Sequence, residues 1–348
     1  MPARYPCVPG HELAGVCVAV GANVTRFKVG DQVGVGCMVD SCLSCSACTR
    51  GEEQKCSKNI MTYGAAPGPR SGCAPGAPAH TLGGYTSGFV VHEKFGVLIP
   101  SNYPLEAAGP VMCAGVTLFD PLRRYRAGPG TRVAILGMGG LGSIGIKIAK
   151  ALGAHVTAVT RSASKVAFAK RCGADEVLLP SDLSNFAGKF DLVLNTIPVE
   201  HDYMVYSPLL ERKRGSMIML GLNTGLVVGI AADALTCGTS RVKGSGIGGI
   251  ESTQAVIDLC AANNIRPEIS IVKPQDINSV YEKLEGQNES GLRYVVDLSS
   301  LKDGSCFEAC KNVPPPKLGK PSTGLSVLMI IGGIFKMVCC CGSRRSMC

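Results

Sequence analysis

The sequence predicts an α/β protein of two units, a β-rich module and a doubly wound parallel sheet, from three observations. A glycine cluster at 137–142 stands between an apolar run of strand length and an amphipathic helical pattern. Further apolar runs follow at 155–160, 176–179, 190–196 and 216–221, with helical patterns between them. Strands of that kind, alternating with helices, imply a parallel sheet covered on both faces. Residues 8–36 instead carry alternating valines punctuated by Gly and Asp, the mark of short strands and turns in a barrel-like module. At 348 residues the chain has room for two domains of ~100–200 residues each.

Composition narrows the function classes. The formal charge is +9, but residues 301–348 supply +5 of it, and the rest has no basic block. Nucleic acid is therefore not an expected partner. Of the 18 cysteines, four cluster in 42–56 and six fall in 301–348, which is not the spread of a disulfide framework. No basic-then-apolar leader opens the sequence. A reducing compartment, and so a cytoplasmic location, is expected.

Taken in order, the chain first offers His11 and Glu12 beside Gly10, a pair that alone reads as a polar turn. Cys42, Cys45, Cys48 and Cys56 follow with spacing C-x2-C-x2-C-x7-C. Four thiolates that can close on one centre suit a tetrahedral zinc with no open position, a structural role. An iron–sulfur cluster or free thiols are the rivals, and the compact lobe with charged filler favours zinc. Cys37 and Cys73 lie outside that spacing and read as bystanders. Residues 57–84, rich in Gly, Pro and Ala, read as a surface loop without chemistry. Strand resumes at 83–92 and ends at 97–100. Helices are expected from Leu105 and over 116–125, with Cys113 as a core-packing cysteine on its own evidence.

The glycines Gly137, Gly139 and Gly142 fit G-x-G-x-x-G with strand before and helix after. Such a loop gives a tight turn, a close approach for a pyrophosphate and close helix–strand packing, with the helix N-terminus facing the phosphates. At the end of the second strand an NAD site usually has Asp or Glu for the ribose hydroxyl. Thr160, Arg161 and Ser162 stand there instead, with Lys165 one turn on. Cations and hydroxyls without a repelling carboxylate suit a 2′-phosphate, so NADP(H) is expected over NAD. A helix over 252–263, another over 277–285 and a last strand over 294–298 complete the pattern. Beyond them a Pro-rich linker leads to an apolar run of eleven residues before Lys336, short of the ~20 that a bilayer span needs. A cysteine triplet at 339–341 and two arginines beside it suit acylation at a membrane surface, so membrane contact through the tail is an open expectation.

Together, Pro-Gly-His11-Glu12, the four-cysteine lobe, Cys113-Ala-Gly-Val-Thr117, Gly-Met-Gly-Gly-Leu-Gly at 137–142 and Gly-Ser-Gly-Ile-Gly-Gly-Ile-Glu-Ser-Thr-Gln at 244–254 resemble the zinc-dependent medium-chain alcohol dehydrogenases. The likeness is to their NADP-preferring, cinnamyl alcohol dehydrogenase-like branch and runs from about residue 5 to 299. It implies a GroES-like catalytic domain over 1–114, a Rossmann NADP-binding domain over 115–250, a return to the catalytic domain over 251–300 and a cysteine-rich tail over 301–348. It also implies reversible hydride transfer between NADPH and a small-molecule aldehyde. The cofactor is expected on Thr117, Gly137, Gly139, Gly140, Leu141, Gly142, Thr160, Arg161, Ser162, Lys165, Thr196, Gly221, Ser245, Gly246 and Ile247. A homodimer is expected.

In that family the catalytic zinc takes a cysteine, a histidine and a second cysteine, with a glutamate able to approach the metal. His11, Glu12 and Cys113 match three of those positions. The resemblance puts the first cysteine about twenty residues ahead of Gly-His-Glu, whereas ten residues precede His11 here, and Cys7 falls where the family has a packing residue. An N-terminally truncated chain lacking one catalytic ligand is therefore expected. The alternative to an active alcohol dehydrogenase/aldehyde reductase is a catalytically impaired, NADPH-binding, zinc-stapled protein.

Overall fold

The computed structural model describes residues 5–68, 70, 80–221, 241–285, 291–302 and 328–339. Cys73, the linker at 313–317 and most of the cysteine triplet lie outside the described residues.

The parallel sheet runs, in spatial order, Val242–Gly244, Ser216–Met219, Leu192–Asn195, Arg132–Leu136, His155–Val159 and Glu176–Leu178. Numbered along the chain this is the 3-2-1-4-5-6 order, whose reversal of direction opens a crevice beside the first strand. Every neighbouring pair is parallel. The central strand is apolar because both faces are covered: Val133, Ala134, Ile135 and Leu136 are all fully buried.

The helices differ from the sequence expectation on one side of the sheet. Gly140–Ala151 and Val166–Arg171 are α-helices, but the stretches after Leu178 and after Asn195 fold as short 3-10 turns, Pro180–Phe186, Tyr203–Val205 and Ser207–Leu209. Pro180, Gly188 and Pro208 interrupt these stretches, and a residue without an amide hydrogen or without a side chain stops an α-helix from propagating.

The second sheet belongs to the β-rich unit. Its order is Ile269–Val272, Arg293–Asp297, Leu328–Cys339, Leu13–Val20, Gln32–Val35 and Gly96–Leu98, and Gly88–His92 also pairs with Leu328–Cys339. A separate two-stranded ribbon joins Met38–Asp40 to Ile60–Met61. Behind this sheet Leu13, Cys17, Val33, Phe89, Phe95, Val280 and Val296 form one core cluster.

The apolar run of the tail is a β-strand here, antiparallel to Leu13–Val20, Arg293–Asp297 and Gly88–His92. Its twelve residues reach ~40 Å as a strand but only ~18 Å as a helix, well under a bilayer core. Among the described residues no helix is long and apolar enough to cross a membrane.

Helix Ile250–Ala262 ties the two units together. Its Val256, Ile257 and Cys260 pack in the same core as Val111, Leu118, Ile135 and Ile144. Its first amide, on Ile250, donates to Glu53 of the four-cysteine lobe at 3.0 Å, and Arg123 pairs with Glu251 at 2.6 Å.

Candidate active site

The glycine loop follows strand Arg132–Leu136 at the crevice. Gly137 has φ +94, a left-handed conformation that side chains resist. A Cβ on Gly142 would stand 1.9 Å from the Gly137 carbonyl oxygen, so only glycine lets the helix start this close to the strand. Gly139, by contrast, has nothing within 4 Å of where a Cβ would lie: it borders open space at the helix N-terminus, where a phosphate group fits. Thr196 closes the far side, its hydroxyl donating to the Leu136 carbonyl at 2.7 Å. Gly221 backs onto Ile197, whose oxygen would lie 2.0 Å from an added Cβ. Ser245 donates its amide to Met219, and Ile247 holds φ +42, an outlier for a β-branched residue of the sort that gathers at functional sites.

At the end of the second strand Thr160 is buried and its hydroxyl accepts the Ser162 amide at 3.2 Å. Arg161 is exposed, and the Ser162 and Ser164 hydroxyls lie 2.6 Å apart. Cation and hydroxyls thus share one turn, the chemistry a 2′-phosphate requires.

The four-cysteine lobe closes on a point. Sulfur–sulfur separations are 3.5 Å for Cys42–Cys56, 3.6 Å for Cys45–Cys48 and 3.8 Å for Cys42–Cys48. A tetrahedron with Zn–S of ~2.3 Å has edges of ~3.8 Å, so these separations, with all four sulfurs within 4.8 Å of one another, fit a structural zinc. The Cys45 amide points at the Cys42 sulfur and the Lys58 amide at the Cys56 sulfur, both at 3.3 Å. The amides of Ser44 and Cys45 hold the Cys42 thiol down at about 5, and burial lifts Cys48 to about 11.

The second cluster departs from expectation. The ligand atoms of His11, Cys37 and Cys113 all lie within 4.8 Å of one another. Cys37, which its spacing marks as a bystander, is therefore part of this site. The cause is a backbone approach that spacing cannot reveal: a Cβ on Gly36 would stand 2.8 Å from the Met112 carbonyl oxygen, so glycine alone lets Cys37 come up beside Cys113. Cys113 itself sits in a π-turn, Val111–Gly115, between the helices Leu105–Pro110 and Val116–Arg124. Such widened turns recur at functional sites. The loop at 57–84 is not inert either: Tyr63 stacks on His11, ring centroids 6.0 Å apart.

Protons crowd this cluster. The hydrogen bond with Cys37, then burial, pushes the Cys113 thiol well above the usual range. Burial pulls His11 down, but Cys113 and Glu12 outweigh it and raise the imidazole to about 9. Two thiols and an imidazole are ligands that give up protons together to a divalent cation.

Glu12 does not join the three. Its Oε1 is 4.0 Å from His11 Nε2 and 2.7 Å from Nη2 of Arg293. Arg293 escaped the sequence reading because nothing in its neighbourhood marks it. Its Cδ lies 2.7 Å from where a Cβ on Gly140 would stand, so one side chain touches both the glycine loop and the residue after His11.

Comparison with known proteins decides the family. The zinc-binding dehydrogenase model matches residues 140–262 and the alcohol dehydrogenase GroES-like domain model residues 1–101. NADP-dependent alcohol dehydrogenase C 1 of Mycolicibacterium smegmatis is 43% identical over 304 residues, covering 86% of this chain and 84% of the relative. The chain belongs to the zinc-binding alcohol dehydrogenase family. Aldehyde reductase YahK of Escherichia coli is 40% identical, covering 86% of this chain and 84% of its own. Among solved structures, the cinnamyl alcohol dehydrogenase of Helicobacter pylori complexed with NADP(H) superposes with TM-score 0.74 at 34% identity, over 85% of this chain and 83% of that one. The fold of this alcohol dehydrogenase is thus GroES-like plus Rossmann, within the medium-chain, cinnamyl alcohol dehydrogenase-like group.

Proposed function

We propose that this chain is a zinc-dependent oxidoreductase that interconverts a primary alcohol and an aldehyde with NADP(H), working chiefly as an aldehyde reductase. The observation that carries this reading is Arg293, which spans from the Gly140 position of the dinucleotide loop to Glu12, next to the candidate metal ligand His11. A cofactor anchored at the loop would therefore have its reactive end directed toward the His11–Cys113 cluster.

Zinc at that cluster would polarise a carbonyl oxygen as a Lewis acid, and bound NADPH would supply the hydride. The chain's own residues do the rest. Gly137, Gly139, Gly140, Leu141 and Gly142 would seat the pyrophosphate at a helix N-terminus, with the Arg293 guanidinium beside it as a fixed cation. Thr160, Arg161, Ser162 and Lys165 would hold the 2′-phosphate. Thr117, Thr196, Gly221, Ser245, Gly246 and Ile247 would line the rest of the cofactor cleft. Glu12, held by Arg293, keeps negative charge close to His11 and so favours a cation among the ligands.

The relatives named above do not favour the alternative of a catalytically impaired, NADPH-binding protein. Oxidation of NADPH in the presence of aromatic and aliphatic aldehydes, against polyols with NADP, tests the proposal. Turnover of aldehydes with NADPH supports it; turnover of polyols alone, or none by zinc-replete protein that binds NADPH, overturns it. A homodimer and a cytoplasmic location remain part of this reading, the latter on the grouping of cysteines for metal. Sedimentation of the purified chain and imaging of a tagged full-length chain test them.

A further inference from the structure

We propose that Cys37 is the third protein ligand of the second metal site, which in this chain is the set His11, Cys37 and Cys113. The inference rests on the proposed function, since it concerns the metal of the same site.

An open zinc site needs three protein ligands and one free position. The resemblance matches His11 and Cys113 to two of those positions. Cys7 is half-buried and does not belong to either cluster of metal-ligating groups among the described residues. Glu12 is turned to Arg293. Among the described residues Cys37 alone brings a ligand atom within reach of both others, and it is only 6% exposed.

The surroundings hold it there. The Cys37 carbonyl accepts the Thr62 amide at 3.0 Å, and the Thr62 hydroxyl bonds the Gly36 carbonyl. The next residue, Tyr63, stacks on His11. One short ribbon thus fixes Cys37 and braces the imidazole. Gly36 against the Met112 carbonyl fixes the distance to the Cys113 turn. Two thiolates and a neutral imidazole would balance the charge of a divalent ion and leave a fourth position open.

Metal analysis and spectroscopy test this apart from activity. The wild-type chain is expected to hold two zinc ions, and Cys37→Ser to keep only the one on Cys42, Cys45, Cys48 and Cys56 under mild chelation. With cobalt exchanged into the second site, the near-ultraviolet thiolate-to-metal band should fall by about half in Cys37→Ser, because one of two thiolates is gone. Alkylation of the wild-type chain needs no variant: zinc should protect Cys37 and Cys113 together. Unchanged zinc content and an unchanged cobalt band in Cys37→Ser, or alkylation of Cys37 with the second zinc in place, would overturn the assignment and mark Cys37 as a pocket-lining thiol. NADPH-dependent turnover that survives either result leaves the proposed function standing, and absent turnover leaves the cobalt readout untouched.

Discussion

Arg293 and Glu12 form an ion pair of 2.7 Å in which the two side chains are 8% and 0% exposed. The arginine opens strand Arg293–Asp297 and the glutamate precedes strand Leu13–Val20, so the pair links two parts of the sheet far apart in sequence. Removing one partner of a buried pair strands the other charge, at a cost of about 3–5 kcal/mol. Arg293→Met is expected to lose that much stability in urea titration, and Glu12→Gln/Arg293→Met to regain part of it. A single-variant loss under about 1 kcal/mol would show that water already solvates the pair. The same single variant should weaken NADPH binding, through the guanidinium at Gly140.

Cofactor choice depends on Arg161. Replacing it with Asp puts a carboxylate where the 2′-phosphate would lie, and loss of a charge-assisted contact is worth about 1.5–3 kcal/mol. The ratio of kcat/KM for NADPH over NADH is expected to fall at least about tenfold in Arg161→Asp. An unchanged ratio would remove this turn from the phosphate site.

The four-cysteine lobe is predicted to be a staple. Cys45→Ser should release one zinc per chain and lower stability by at least about 2 kcal/mol, the linkage expected of a tightly held ligand. Because Glu53 of this lobe caps helix Ile250–Ala262, the damage should spread to NADPH affinity as well. Full zinc content with unaltered melting would exclude the structural site.

Acid stability should register Glu93. Burial alone would raise its pKa, but the amides of Thr25 and Arg26, at 2.9 and 3.0 Å, outweigh it and hold the carboxyl below the usual range. A depressed folded pKa contributes stability that is present above the unfolded value of ~4.3 and is lost as pH falls through the folded one. Glu93→Gln is expected to be less stable at neutral pH and to show a shallower loss below about pH 4. Parallel slopes in urea midpoints across that range would refute the role.

Local pattern made much of this protein legible. The glycine turn, the apolar strands and the four-cysteine spacing each sit within one short stretch, so the elements around Gly137–Gly142 and Cys42–Cys56 fall where periodicity puts them. Cys37 and Arg293 were not legible, because their neighbours come from distant segments: Met112 and Cys113 for one, Gly140 and Glu12 for the other. The strand Leu328–Cys339 was not legible for a different reason. An apolar run of that length does not by its period tell strand from helix, and the strands it pairs with, Leu13–Val20 and Gly88–His92, lie far away in sequence.

That strand also dictates an order of assembly. Leu13 is in register with Met337, and both lie in the middle of the sheet rather than at its margin. During synthesis Leu13–Val20 must wait, one hydrogen-bonding edge open, until Leu328–Cys339 emerges. The parallel sheet between them pairs strands much closer in sequence, and closing short loops costs less entropy than closing long ones. The dinucleotide unit should therefore fold first and serve as the platform on which the earlier-made half is completed. Until then Leu13–Val20, paired only with Gln32–Val35, keeps one edge open to unwanted pairing, the kind of surface a chaperone shields.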